Sequence, residues 1–237
     1  MPIHRLFRYT PTHELLIERP IMPLQERWLP LFPLNLVLFP DMTIPLNIFE
    51  ERYKLMINSC LENDSKFGVV LIKAGQEVGS PAITYSTGTV AYIDQTNHIE
   101  HGQMLLSVIG EQRFRIKHIT QYEPYTAGQV EVLTDDEENQ DTYKDITKVQ
   151  QAITQHLRLM LGLSGGWVRD ATIPSGQVNL SYFIPKTLQG ELHEMQSLLE
   201  EDSSYKRLDM GMDLLEQYAE KLKKRMDKDL LSNYSMQ

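Results

Sequence analysis

The sequence predicts an α+β protein, a β-rich barrel or sandwich with one inserted helix, followed by an α-helical bundle. Three observations carry this expectation. Between Trp28 and Leu133 the apolar stretches are short and broken by Pro, Gly, Asn and Asp, the punctuation of strands and turns. Most of these stretches have no helical segment between them, which favours a barrel or sandwich over βαβ units. Beyond an acidic run, apolar residues recur every three or four positions, the period of an amphipathic helix.

In chain order, the candidate strands are Leu36–Phe39, Phe67–Ile72, Thr89–Ile93, Met104–Ile109, Arg113–Ile119 and Gly128–Leu133. In Leu31-Phe32-Pro33-Leu34 the proline fixes φ and removes a donor, so this piece reads as a stiff segment at a sheet edge or strand start. Phe39-Pro40-Asp41-Met42 reads as a turn, and Gly88 permits close backbone approach. In Arg113-Phe114-Arg115-Ile116 the alternation places Phe114 and Ile116 on one face and the arginines on the other. The inserted helix is expected to be capped by Asn47, with Glu50 reaching back to the cap, and to bury Phe49, Tyr53, Met56, Ile57 and Cys60. Asp135, Asp136, Glu137, Glu138, Asp141 and Asp145 form an acidic hinge, expected to be a solvated linker. A helix is then expected from Tyr143 to Met160 with Gly162 as its stop, another over Leu188–Leu198, and a long last one through Leu208 and Met226 capped by Ser203 or Ser204. Such helices would pack as a bundle. The expected division is an extension at 1–27, a barrel domain at 28–138 and a helical subdomain at 139–237.

Composition narrows the function classes. The chain has 237 residues, 23 Lys plus Arg against 32 Asp plus Glu, and a net charge of −9. A protein whose main partner is a nucleic-acid backbone needs a positive face, so that class is disfavoured. Cys60 is the single cysteine, which excludes an internal disulfide and a Cys-rich metal site and fits a reducing compartment. The first twenty residues lack the apolar core of a signal peptide, and no apolar run reaches membrane-spanning length, so a cytoplasmic location is expected.

Five blocks in a fixed order carry a resemblance: LPLFPLNLVLFPDMTIPLNIFEERYKLM from Leu29, FGVVLIKAGQEVG, GTVAYI, GEQRFRI and PYTAGQVEVL. The chain resembles the amino-terminal domain of Lon proteases, the substrate-binding module also found in stand-alone bacterial proteins and in cereblon-type receptors. The likeness runs from Trp28 to Glu138 in motif detail. It continues more loosely through QSLLEEDSSYKRLDMGMDLL, which looks like the family's closing segment. The resemblance implies a PUA-like β pseudobarrel followed by a helical subdomain, and a role in contacting polypeptides rather than cutting them. The chain departs from the family pattern at Asn35 and Asp41, where glycine is common, at Asn47 and Glu51, and at Tyr92, often a basic position. Met22 is an alternative start, so residues 1–21 are either an extension or an over-called beginning.

Catalytic chemistry is not expected. Gly75-Gln76-Glu77-Val78-Gly79-Ser80 lacks the lysine of a phosphate-binding loop, and the length leaves no room for the ATPase and Ser–Lys peptidase domains of a Lon protease. Gly162-Leu163-Ser164-Gly165-Gly166 matches the letters of a nucleophile elbow but follows a helix rather than a strand. His193-Glu194 has Ser197 where a second zinc-binding histidine must stand, and His98 and His101 lie in what reads as a hairpin loop. No cofactor and no metal is expected.

The expected function is therefore non-catalytic recognition of unfolded or exposed polypeptide segments, in protein quality control or as an adaptor for a protease, with no membrane partner. Methionine and aromatic side chains suit varied apolar partners. The residues selected for the polypeptide-binding surface are Leu36, Phe39, Met42, Ile44 and Tyr92, with burial in the core as the competing reading for each. The alternative function is an RNA-binding PUA-like module. Against it, the cluster Lys221, Lys223, Lys224 and Arg225 is interleaved with Asp227 and Asp229, as on a solvated helix face.

Overall fold

The structure is a computed structural model of the full chain. It describes residues 26–234 apart from 78, 80–81, 100–101, 136–142, 164–171 and 189. Six strands, β1 (Glu26–Leu34), β2 (Thr43–Ile48), β3 (Lys66–Ala74), β4 (Ile83–His98), β5 (Met104–Gln121) and β6 (Ala127–Val132), form one sheet with helix α1 (Glu51–Leu61) between β2 and β3. The strand order is β2-β5-β4-β3-β1-β6, and a further β5–β6 pairing closes the last five strands into a ring with β2 appended to β5. All pairings are antiparallel except β1 with β3, and that parallel pair is joined by the crossover through β2 and α1.

Proline explains how β1 closes the ring. Its first half, Glu26–Pro30, pairs with β6, and its second half, Leu31–Leu34, pairs with β3. Each half is laddered on one side, so Pro30 and Pro33 can sit where no donor is needed, as the edge reading anticipates. Pro45 does the same on β2, which pairs only with β5. Pro30 and Pro45 also hide the first half of β1 and all of β2 as strands in the sequence.

Leu36–Phe39 is not a strand but the connection between β1 and β2. Leu38 points into the barrel core and Val37 and Phe39 into the core beneath the helices, so the apolar run reflects burial on both sides without a ladder. The turn at Pro40-Asp41 is present: Met42 N–H donates to the Phe39 carbonyl at 3.1 Å, and Asp41 takes the left-handed φ of 57°. Met104–Ile109 and Arg113–Ile119 merge into the single strand β5. Gly110 lies at the junction of the two because a Cβ there would overlap the Phe39 carbonyl oxygen. Gly88 is similarly hemmed in by Val69 and Phe114.

Helix α1 starts at Glu51 with Glu50 as its cap, whereas Asn47 belongs to β2 opposite Leu105. The expected capping pair therefore does not form. Tyr53, Met56, Ile57 and Cys60 are buried on one face as expected, but Phe49 is half exposed. The helical part comprises α2 (Ile146–Leu163), α3 (Gln177–Thr187), α4 (Leu192–Glu200) and α5 (Ser204–Tyr234). Helix α3 is not legible in the sequence, because Pro185 in its last turn and the absence of a strong apolar stripe obscure it. Glu191 and Glu194 form a capping box on α4, and Ser203 Oγ accepts the Lys206 N–H at the start of α5.

Three apolar clusters hold these layers. One fills the barrel under α1, a second lies at the other end of the barrel around Leu29, Leu31, Val70, Val90, Phe114 and Val130, and a third joins Val37, Phe39 and Leu71 to the four helices. In the third layer His156 of α2 is buried and burial pushes its imidazole below the ordinary histidine value, with the Thr187 backbone offsetting part of the shift. The unfolded chain then takes up the proton first as pH falls. The stability due to neutral His156 is complete above about pH 6.5 and is lost below it, at up to about 1.4 kcal/mol per pH unit until the lower folded value is reached. Melting temperatures measured from pH 8 to pH 5 are expected to fall less steeply for His156→Gln than for the parent. Parallel curves would show that another group sets the acid limb.

Candidate polypeptide-binding site

The barrel and the helices meet at a buried charge cluster. Arg113, on the face of β5 turned away from Phe114, is 1% exposed rather than solvated, because the α4–α5 connection covers it. Its guanidinium donates to the carbonyls of Leu199 at 2.9 Å and Glu201 at 3.1 Å, and to the carboxylates of Asp202 and Asp135 at 3.2 Å each. Arg207 of α5, 0% exposed, donates to Asp135 at 2.7 Å, to the Glu201 carbonyl at 2.8 Å and to Ser181 Oγ at 2.9 Å. Its guanidinium also lies 4.0 Å from the centre of the Tyr182 ring, whose hydroxyl donates to Asp135 at 2.6 Å. Burial raises the Tyr182 phenol, so it stays a donor at neutral pH. Asp135, read from sequence as part of a solvated hinge, is thus the acceptor common to β5, α3 and α5. Asp136, Glu137, Glu138 and Asp141 lie outside the described residues.

This junction sets the geometry of a groove beside it. The β4–β5 ladder ends at Thr87 opposite Arg115. Below that point β4 stays on β3, through Thr84 with Ile72 and Ile83 with Ala74, and β5 stays on β6, through Ile116 with Val130 to Gln121 with Ala127. Irregularities at Val70/Ile72/Ala74 and at Ile116/His118 and Ile119/Gln121 bend the two strands away from each other. The seam that opens holds a cavity of about 380 Å³. Leu31 and Val70 form its buried floor, and Tyr85, Ile116 and Ile119 its walls. Ile83 on β4 and Tyr122 just past β5 are its lips. At 66% and 62% exposure they are the most exposed large apolar side chains among the described residues. None of the described residues lining the groove is charged. Where the seam closes, Gln196 of α4 donates to the Thr87 carbonyl at 3.1 Å.

A second concavity of about 460 Å³ lies between β1 and the end of α1. Its charges are already compensated by the Arg27–Asp64 and Lys66–Glu111 pairs, and its Trp28 indole donates to Thr120. It also reaches Cys60, whose thiol is pushed up to about 12 by burial and the nearby Asp64. A neutral thiol is a poor nucleophile. Among the described residues no group of three or more His, Cys, Asp or Glu is placed to hold a metal ion. Glu194 accepts the N–H of the α4 cap Glu191 at 3.2 Å and the Tyr218 hydroxyl at 2.6 Å. Ser164 and His101 lie outside the described residues.

Of the residues selected from sequence, Leu36, Met42 and Ile44 come together at the barrel core, with Leu36 and Met42 partly accessible. Met42 also reaches the layer beneath the helices, where Phe39 is 1% exposed. Tyr92 stands apart on β4, 38% exposed. None of these five residues lines the groove. The alternation through Ile116 marked a half-buried strand, but nothing in the order of residues signals that β4 and β5 part company.

The chain is thus a closed barrel buttressed by helices, with an apolar groove at its seam whose described lining is uncharged. The family described as the ATP-dependent protease La (LON) substrate-binding domain matches residues 28–217, and the chain belongs to that family. Relatives include the Lon protease of Cytophaga hutchinsonii, 24% identical over 222 residues, 91% of this chain and 27% of that protein. The Lon protease of Parabacteroides distasonis is 31% identical over 109 residues, 45% of this chain and 13% of that protein. The chain thus spans about a quarter or less of the length of these proteases. Among solved structures, the Lon N-terminal domain protein from Xanthomonas campestris superposes with a TM-score of 0.58 at 25% identity, over 77% of this chain and 95% of that one. The N-terminal domain of the Mycobacterium avium complex Lon protease shares the fold with a TM-score of 0.58 at 18% identity, over 80% and 98%. No helix among the described residues is long and apolar enough to cross a membrane.

Proposed function

We propose that the chain is a non-catalytic polypeptide-recognition module that acts in the cytoplasm, in protein quality control or as an adaptor beside a protease, and holds apolar segments of unfolded proteins. The observation that carries this reading is that, among the described residues, the two most exposed large apolar side chains, Ile83 and Tyr122, stand on the lips of one groove whose described lining is uncharged. Exposed apolar side chains gathered at the mouth of one concavity suit contact with an apolar partner. Leu36, Met42 and Tyr92 serve as secondary contacts in this reading, and Phe39 and Ile44 support them from beneath. An uncharged groove is also a poor match for a phosphate backbone, which favours polypeptide over RNA.

Chemically denatured citrate synthase diluted into buffer provides the test. An equimolar amount of the full chain is expected to slow the rise in light scattering severalfold and to co-elute with the denatured protein. A chain that neither slows aggregation nor co-elutes would refute the recognition reading.

A further inference from the structure

We infer that the seam between β4 and β5 captures its ligand by strand addition: an extended, uncharged polypeptide segment pairs its backbone with the free edge of Ile83–Ser86 or of Ile116–Tyr122. This rests on the recognition reading above and specifies how the ligand is held. Both strands run on past the point where their shared ladder stops, and each keeps a partner on its far side only. Among the described residues, no backbone hydrogen bond spans the seam from Ile83–Ser86 to Ile116–Tyr122. Each strand therefore turns a row of N–H and C=O groups toward the cleft. Such rows repeat at about 3.3 Å per residue, and an extended chain is the ligand whose donors and acceptors repeat at the same spacing.

The lining selects the side chains that accompany that backbone. Leu31, Val70, Ile116 and Ile119 offer apolar contact to alternate residues of the incoming strand, and Ile83 and Tyr122 close over it. A charged side chain entering there would lose its hydration with no counter-charge among the described lining residues. The cavity of about 380 Å³ admits a few side chains, not a folded domain. At its inner end Gln196 occupies the Thr87 carbonyl, which limits how far a segment can slide. The ligand class is thus an unfolded stretch of β-branched or other uncharged residues without proline.

The test uses the full chain and a fluorescein-labelled octapeptide of alternating valine and threonine, read by fluorescence anisotropy and amide hydrogen exchange. A second peptide, N-methylated at alternate residues, keeps the side chains and removes half the backbone donors. The unmodified peptide is expected to bind at least ten times more tightly than the methylated one and to slow exchange at Ile83–Ser86 or Ile116–Tyr122. Ile83→Lys and Tyr122→Lys, both at exposed positions and checked for retained folding by circular dichroism, are each expected to weaken binding at least fivefold. Equal affinity for the two peptides, with both lysine variants impaired, would overturn strand addition while leaving recognition at the groove in place. Binding indifferent to the lysine variants, or capture of denatured citrate synthase without peptide binding, would overturn the site but not the recognition reading. Failure to bind peptide or denatured protein would overturn both.

Discussion

Replacing Asp135 with asparagine is expected to cost about 3–5 kcal/mol of folding stability, the usual penalty for removing one partner of a buried ion pair. For a chain of this size that lowers the melting temperature by about 10 °C. The reason lies in what the substitution leaves behind. Arg207 is fully buried and has Asp135 as its carboxylate partner, its other acceptors being the neutral Glu201 carbonyl and Ser181 hydroxyl. Arg113 retains Asp202 at 3.2 Å, but that carboxylate is 61% exposed and compensates it poorly. Asp202→Asn is accordingly expected to cost less than about 1 kcal/mol. Adding Arg207→Met to Asp135→Asn should recover part of the loss, because the stranded charge goes with its partner. Thermal unfolding of the four chains decides the matter. If Asp135→Asn melts within a degree or two of the parent, the cluster is not what fastens the helices to the barrel.

Phe39→Ala is expected to cost about 3–5 kcal/mol, in the range for truncating a buried aromatic ring. Phe39 lies in the layer that joins Val37 and Leu71 of the barrel side to Val149, Leu180, Leu198 and Leu208 of the helices. Its carbonyl also packs on Gly110, so the site has little room to collapse around the missing ring. Tyr92→Ala, at an exposed position on β4, should stay within about 0.5 kcal/mol of the parent. Denaturant titration separates the two. A Phe39→Ala chain as stable as the Tyr92→Ala chain would mean that the ring is free at the surface, as a direct ligand contact would be.

These two residues also mark how far the order of amino acids carries the argument. Most barrel strands from Phe67 onward, α1, α2 and α5 are legible because alternation or a helical stripe records one buried face, while β3, buried throughout Phe67–Ile72, reads as a short continuous apolar run. Leu36–Phe39 misleads because an apolar run between two cores has no solvated face, and burial on both sides has the same signature as a strand. Helix α3, strand β2 and the first half of β1 are lost for the opposite reason, whereas Leu31–Leu34 reads as the edge or strand-start segment it is. Proline at Pro30, Pro45 and Pro185 reads as a breaker, and its tolerance depends on which side of the backbone is left unpaired.

The family and the order of blocks along the barrel follow from local pattern, since a strand or helix must repeat its buried face at a set period wherever it packs. Asp135 illustrates what local pattern cannot hold. In sequence it opens an acidic run, indistinguishable from its neighbours, and in the folded chain it joins Arg113 and Arg207, 22 and 72 residues away. The groove has the same origin, because Ile83 and Tyr122 become a pair only once β4 and β5 bend toward different neighbours. Charge compensation and cavity shape depend on distances between elements, and those distances arise when the barrel closes and the helices dock on it.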